Sequence, residues 1–147
     1  MSQAKNTSDG TFTAEERAAM AAAAKESRAR KKGVKAEDDR RAVLDAIAAM
    51  DDEDRELCGR LHELISTAAP ELAARTWYGM PAYAKDGKVL CFVQNAGKFK
   101  ARYTTLGFQD SAALDSGPMW PTAYAVTSLS ATVEKEVAAL VRRAVGR

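Results

Sequence analysis

The sequence predicts an α+β domain: an antiparallel sheet of about four strands within residues 77–128, covered by amphipathic helices before and after it. Every aromatic residue except Phe12 lies between Trp77 and Tyr124, and aromatic side chains favour strands. Asp86-Gly87 stands between two β-prone runs, which is the strongest short signal for a hairpin. On both sides of this region apolar residues recur at helical spacing. Helices followed by strands and a further helix are typical of the α+β class.

An Ala-rich helical arm precedes this domain. Thr13 and Glu16 have the spacing of a capping box, and Gly33 ends the pattern. Between Thr13 and Lys32 the only large apolar residue is Met20, so the helix has little to bury. We therefore expect the arm to project from the domain or to lie loosely on it.

The chain then divides into three parts. The first residues are polar and without periodicity, which predicts disorder, and the run GVKAEDD after the arm reads as a linker. The predicted division is a disordered tail at 1–12, a helical arm and linker at 13–39, and the α+β domain at 40–147.

Two amphipathic helices open the α+β domain. The first has an apolar face that begins at Val43, and the second runs from the acidic residues after Met50 to about Thr67, before Pro70. Each has a polar face opposite the apolar one, so each needs a partner surface. The following strands supply that surface.

The turns in residues 77–128 indicate where the strands begin and end. After the Asp86-Gly87 hairpin, Asn95-Ala96-Gly97 predicts a second turn. Apolar and basic residues then alternate over 98–103, which predicts a strand with one buried face. We expect an irregular connection at 105–119, a strand at 122–128, and a last helix capped by Ser130.

Composition bounds the function classes. The chain has 22 basic and 20 acidic residues, a net charge of +2, which is too small to favour nucleic acid or an anionic membrane strongly. No apolar run could span a bilayer and no signal peptide is visible, so a cytoplasmic protein is expected. Cys58 and Cys91 both lie within apolar elements, which predicts two free buried thiols.

The stretch WYGMPAY carries the first candidate site. Gly79 and Pro81 interrupt an aromatic strand, so a bend or a sheet edge is expected there. A bend would present aromatic and apolar side chains to a ligand or a partner. The alternative is that these side chains fill the core and that the Gly and Pro only shape a bulge. The candidate binding residues are Trp77, Tyr78, Gly79, Met80, Pro81 and Tyr83, with Trp120.

The run from Ala69 to Val93, APELAARTWYGMPAYAKDGKVLCFV, resembles the YdhG-like domain of unknown function. The similarity extends more loosely from about Arg40 to Val145, and the arm that begins FTAEER resembles an extension that some members carry. The family is similar in fold to frataxin-like proteins, and some relatives are described as intracellular iron chaperones. The resemblance assigns no role to the motif residues.

The resemblance gives weight to a second candidate, the acidic residues Asp51, Asp52, Glu53 and Asp54. Carboxylates suit iron and other hard cations. The alternative is that they favour the positive end of a helix without any metal. A zinc site is not supported, because Cys58 and the single histidine, His62, form only half of one.

We therefore expect a non-enzymatic domain that binds a small molecule or a protein through the aromatic surface and has no cofactor. The alternative is an iron-handling chaperone that uses the acidic residues, with iron as its cofactor. No phosphate-binding loop, nucleophile elbow or pair of catalytic carboxylates is visible. The basic run RARKK at 28–32 reads as a solvated helix end.

Overall fold

The computed structural model describes residues 11–147. Its elements are α1 (Ala14–Lys32), α2 (Ala36–Ala48), α3 (Asp52–Ala68), β1 (Ala73–Trp77), β2 (Met80–Lys85), β3 (Lys88–Gln94), a 3₁₀ helix (Ala96–Phe99), β4 (Thr104–Phe108), β5 (Ala123–Val126) and α4 (Ala131–Ala144). The predicted α+β class is confirmed, with five strands instead of about four. Apart from Thr11 and Phe12, the tail predicted at 1–12 lies outside the described residues.

The five strands form one antiparallel sheet in chain order, β1-β2-β3-β4-β5. The predicted Asp86-Gly87 hairpin joins β2 to β3, and its two residues have φ of 52° and 80°. Positive φ at both centre positions is what a type I′ turn requires. The pairing of β2 with β3 shifts between Tyr83 and Ala84, where a bulge interrupts the ladder.

One face of the sheet, called the inner face below, packs against α2, α3 and α4. The side chains of this core are buried and apolar; they include Val43, Ile47, Leu61, Ile65, Tyr83, Leu90, Val93, Leu106, Val126, Val137 and Val141. Alternation along each strand sends the intervening residues to the opposite, outer face. In the part of the chain that the structure describes, no helix is long and apolar enough to cross a membrane.

The predicted linker is shorter than expected. Helix α2 begins at Ala36, so residues 36–39 are helical and only 33–35 connect it to α1. Three of the residues assigned to the linker, Glu37, Asp38 and Asp39, form the first turn of α2. Carboxylates at that position are favoured by the helix dipole, which is the signal that the sequence reading missed.

Two strand predictions are wrong. Residues 98–103 do not form a strand: a 3₁₀ helix ends at Phe99, and Lys100 has a left-handed backbone with φ of 54°. Strand β4 instead occupies Thr104–Phe108, and all of it except Thr104 falls in the segment 105–119 that was expected to be irregular. Strand β1 was missed altogether, because Ala73–Trp77 is half-buried and lacks the alternation of an ordinary strand.

Candidate functional site

The interruption predicted at Gly79 is a hairpin turn. Trp77 pairs with Met80 at the ends of β1 and β2, so Tyr78 and Gly79 form a two-residue loop. Their φ values are 54° and 76°, as a type I′ turn requires. The expected bend within a single strand is wrong, because the chain reverses there and starts a new strand. The other alternative, a sheet edge, is present, because β1 is an edge strand of the sheet.

Helix α1 holds this turn with a carboxylate. The backbone N–H of Tyr78 donates to Glu26 Oε1 at 2.9 Å, and that of Gly79 donates to Oε2 at 3.0 Å. A carboxylate that accepts from two successive N–H groups makes stronger hydrogen bonds than a neutral acceptor would. Glu26 therefore ties α1 to the β1–β2 hairpin.

The expectation of a projecting or loosely lying arm is accordingly wrong. Ala19 of α1 is only 4% exposed, and a Cβ on Gly79 would lie 3.5 Å from that of Ala22. Lys100 also forms an ion pair with Glu15 at 3.3 Å. The alanines, which suggested that α1 had nothing to bury, are small enough to let its backbone approach the outer face closely.

The outer face beside the turn carries an aromatic cluster. The rings of Trp77 and Phe92 lie 5.4 Å apart, and those of Trp77 and Tyr78 lie 4.9 Å apart in a T-shaped arrangement. Phe92 pairs with Gly107 of β4, where an added Cβ would come within 2.2 Å of the Phe92 ring. Glycine at 107 thus leaves room for the Phe92 ring over β4.

The aromatic cluster forms one wall of an open groove whose volume is 370 Å³. We call it the apolar groove; α1 forms the other wall. Its apolar lining consists of Phe12, Ala19, Met20, Trp77, Tyr78, Met80, Phe92 and Phe99. Phe12, Met20 and Tyr78 are 45%, 37% and 38% exposed. Large apolar side chains are thus presented to solvent together, which is typical of a binding surface.

The structure brings together only part of the predicted site. Trp77, Tyr78 and Met80 line the apolar groove, and Gly79 lies in the turn beside them. Pro81 and Tyr83 belong to the inner face, where Tyr83 is 1% exposed. For these two residues the core-filling alternative holds.

Trp120 is not part of this cluster. It is half-buried against the core and precedes β5, three strands away from β2 in the sheet. Four large apolar residues of the groove were not predicted: Phe12, Met20, Phe92 and Phe99. Phe92 reaches the outer face through the bulge between Tyr83 and Ala84, and the contribution of α1 depends on a tertiary contact; the sequence displays neither.

On the inner face Tyr83 forms a polar pair with His62 of α3. The Tyr83 hydroxyl lies 2.8 Å from His62 Nδ1. Burial lowers the pKa of His62, which favours the neutral imidazole. Burial also raises the pKa of Tyr83 well above its ordinary value. A neutral phenol and a neutral imidazole therefore share one hydrogen bond, whose direction is set by the imidazole tautomer, and the bond satisfies a polar group in the core.

The cysteines are free and buried, as predicted. Burial raises the pKa of Cys58 and that of Cys91 to about 12 each, with the carboxylate of Asp54 adding to the effect at Cys58. The thiolate is the reactive form. Both side chains are therefore inert thiols near neutral pH.

Three of the four acidic residues, Asp51, Asp52 and Asp54, make structural contacts, each with a different partner. Asp51 caps α3 by accepting from the Asp54 N–H at 2.9 Å, and buried Asp54 accepts from the Gly97 N–H at 2.8 Å. Asp52 pairs with Arg55 on the surface, and Glu53 is exposed. Within residues 11–147 no three His, Cys, Asp or Glu side chains are placed to hold a metal ion. Iron binding stays a prediction, and the described residues offer no set of side chains to ligate the ion.

Comparisons of the chain with protein-family models, with curated proteins and with solved structures find no match. The resemblance to the YdhG-like domain stays a prediction. The fold and the groove together define the class of protein: an α+β domain with an exposed apolar groove on the outer face of its sheet.

Proposed function

We propose that this protein is a non-enzymatic binding domain and that its ligand is a small organic molecule with an apolar body. The observation that carries the proposal is the apolar groove, where three large apolar side chains stay more than a third exposed beside Trp77. Its volume of 370 Å³ is within the range of about 300–1,000 Å³ that is common for small-molecule sites.

The backbone of Tyr78 supports this proposal. Its φ of 54° is unusual for a bulky side chain, and Asn or Gly is the ordinary choice at that position of a type I′ turn. Strain that persists in a fold points to a role for the residue that bears it. At position 78 the tyrosine ring supplies a wall of the apolar groove.

The lining of the groove also favours binding over catalysis. Among its described residues Glu16 carries the only carboxyl, amine, imidazole or thiol group. That carboxylate accepts from the Thr13 N–H at 2.9 Å as part of the capping box of α1. A group committed to a helix cap is a poor general acid or base.

We also propose that the protein acts in the cytoplasm. Its two cysteines are free thiols inside the core, which suits a reducing compartment. The partner we propose is the small molecule in the groove, and neither a membrane nor nucleic acid is part of this proposal.

Binding of the uncharged fluorophore N-phenyl-1-naphthylamine tests the proposed function. We expect saturable binding that weakens about tenfold or more in Met20→Gln and Tyr78→Asn. Met20 is exposed on α1, so its replacement should cost little stability. Asn is favoured at position 78 of the turn, so Tyr78→Asn should not destabilise the protein. The matched control is Trp120→Phe, which changes an aromatic residue outside the groove and should bind normally. Absence of binding by the parent, or normal binding by both groove variants, would contradict the proposal.

A further inference from the structure

A second cavity lies on the other side of the Trp77 and Tyr78 rings. We call it the arginine pocket; its volume is 500 Å³. Its polar lining comes from α1 and from the sheet: Glu26, Ser27, Arg30, Arg75, Lys88 and Gln109. Trp77 and Tyr78 line this pocket and the apolar groove alike. The two cavities therefore share an aromatic wall.

The cations of the arginine pocket have unused hydrogen-bonding capacity. Arg75 Nε donates to the Thr76 carbonyl at 3.0 Å, and within residues 11–147 the two terminal nitrogens of Arg75 have no hydrogen-bond partner. Arg30 pairs with Asp39, yet its Nε is buried and has no partner among the described residues. Lys88 is exposed and forms no ion pair in the described part of the chain.

The nearby carboxylates do not neutralise these cations fully. Both oxygens of Glu26 accept from the backbone of the Tyr78-Gly79 turn, and Asp39 is taken by Arg30. Burial, and then the adjacent charge of Arg30, lower the pKa of the Arg75 guanidinium from its ordinary value. A guanidinium remains charged at physiological pH. The carboxylates of Glu26 and Asp39 attract it from nearby, but within residues 11–147 no carboxylate forms an ion pair with Arg75.

We propose that the arginine pocket binds an oxyanion, a carboxylate or a phosphate group, at one end of the ligand whose apolar body lies in the groove. The ligand class is then an amphipathic organic anion. This inference rests on the proposed function, because it extends the same site across the shared aromatic wall. Guanidinium groups suit the purpose, since their planar N–H groups match the geometry of carboxylate and phosphate oxygens.

A matched pair of probes tests the inference: 4-phenylbutyrate and its uncharged counterpart 4-phenylbutan-1-ol, measured by calorimetry. A charge-assisted hydrogen bond in a desolvated site corresponds to about a tenfold change in affinity. We expect the parent to bind phenylbutyrate about tenfold more tightly than the alcohol. Inorganic phosphate should compete with phenylbutyrate and leave binding of the alcohol unchanged.

Three variants locate the effect. Arg75→Met should reduce the preference for phenylbutyrate to near unity and leave binding of the alcohol unchanged. Lys88→Met, at an exposed position next to the β2–β3 turn, should reduce the preference without any risk to folding. Arg28→Met removes the same charge from an exposed residue of α1 that does not line the pocket, so it should behave like the parent.

The outcomes separate the two proposals. Equal affinities in the parent, or a preference that survives both Arg75→Met and Lys88→Met, would overturn the oxyanion site while the apolar groove stands. Binding of phenylbutyrate alone would support the oxyanion site and overturn the groove. If neither compound binds, the oxyanion inference fails, and binding of N-phenyl-1-naphthylamine then decides whether the apolar groove stands.

Discussion

At Gly79 two constraints act on one residue. The φ of 76° is strained for any L-residue with a side chain. An added Cβ would also lie 2.9 Å from Lys98 Nζ, but the end of a lysine side chain can move aside. The backbone constraint is thus the stronger one, and it fixes the position of the aromatic rings beside the turn.

We expect Gly79→Ala to lower the free energy of unfolding by about 1–2 kcal/mol, because the alanine must adopt a left-handed backbone. Chemical denaturation measures the change. Gly59→Ala is the matched control: Gly59 lies inside α3 and has room for a methyl group, since the nearest atom to an added Cβ is a side-chain carbon of Ile47 at 3.9 Å. That change should be neutral or stabilise by up to about 1 kcal/mol. Equal effects of the two substitutions would remove the argument from φ.

His62 gives a second prediction at the residue scale. Its folded pKa lies below the ordinary value of 6.5, mainly because it is buried. The unfolded chain therefore takes up the proton first as pH falls, so stability is complete above pH 6.5 and decreases as the pH falls through the folded pKa. His62 is the only histidine, which isolates its effect from that of other imidazoles.

Urea denaturation between about pH 7.5 and pH 5 measures this loss, in the range where histidine titrates. The variant His62→Gln keeps an acceptor for the Tyr83 hydroxyl and removes the titrating group. We expect a flatter pH dependence in the variant. A slope identical to that of the parent would show that other groups control the acid response.

At the scale of elements, helix α1 is part of the fold and not an appendage. Its carboxylate Glu26 binds the β1–β2 turn, and its alanines pack over the outer face. Sequence periodicity gave the bounds of α1 well, because caps and charges are local signals. It did not predict the docking, because a helix of small residues shows only a weak apolar face.

We expect Glu26→Ala to lower the free energy of unfolding by about 1–3 kcal/mol, since two backbone N–H groups lose their acceptor. Lys25→Ala is the matched control on the same helix: Lys25 is exposed and has no ion pair or side-chain hydrogen bond within residues 11–147. Both changes replace a strong helix former by alanine, so helix propensity is similar. Thermal unfolding that responds equally to both would mean that α1 is only loosely attached.

For the whole molecule, the sequence predicted the α+β class, the order of helices and strands, and the Asp86-Gly87 hairpin. The pairing beyond that hairpin was not predictable, because the bulge after Tyr83 places Phe92 instead of Cys91 opposite Ala82. This shift puts the Phe92 ring on the outer face beside Trp77. The apolar groove thus depends on one bulge and on one docked helix, and neither leaves a pattern in the local sequence.

The central claim is that ligands enter the groove between α1 and the outer face, and methionine methyl NMR tests it most directly. Met20 and Met80 line the groove, whereas Met119 is 87% exposed on a loop and Met50 packs against the core. On titration with N-phenyl-1-naphthylamine, we expect saturable shifts of the Met20 and Met80 methyl signals, with Met50 and Met119 unchanged. Unmoved Met20 and Met80 signals, or equal shifts at Met119, would contradict it.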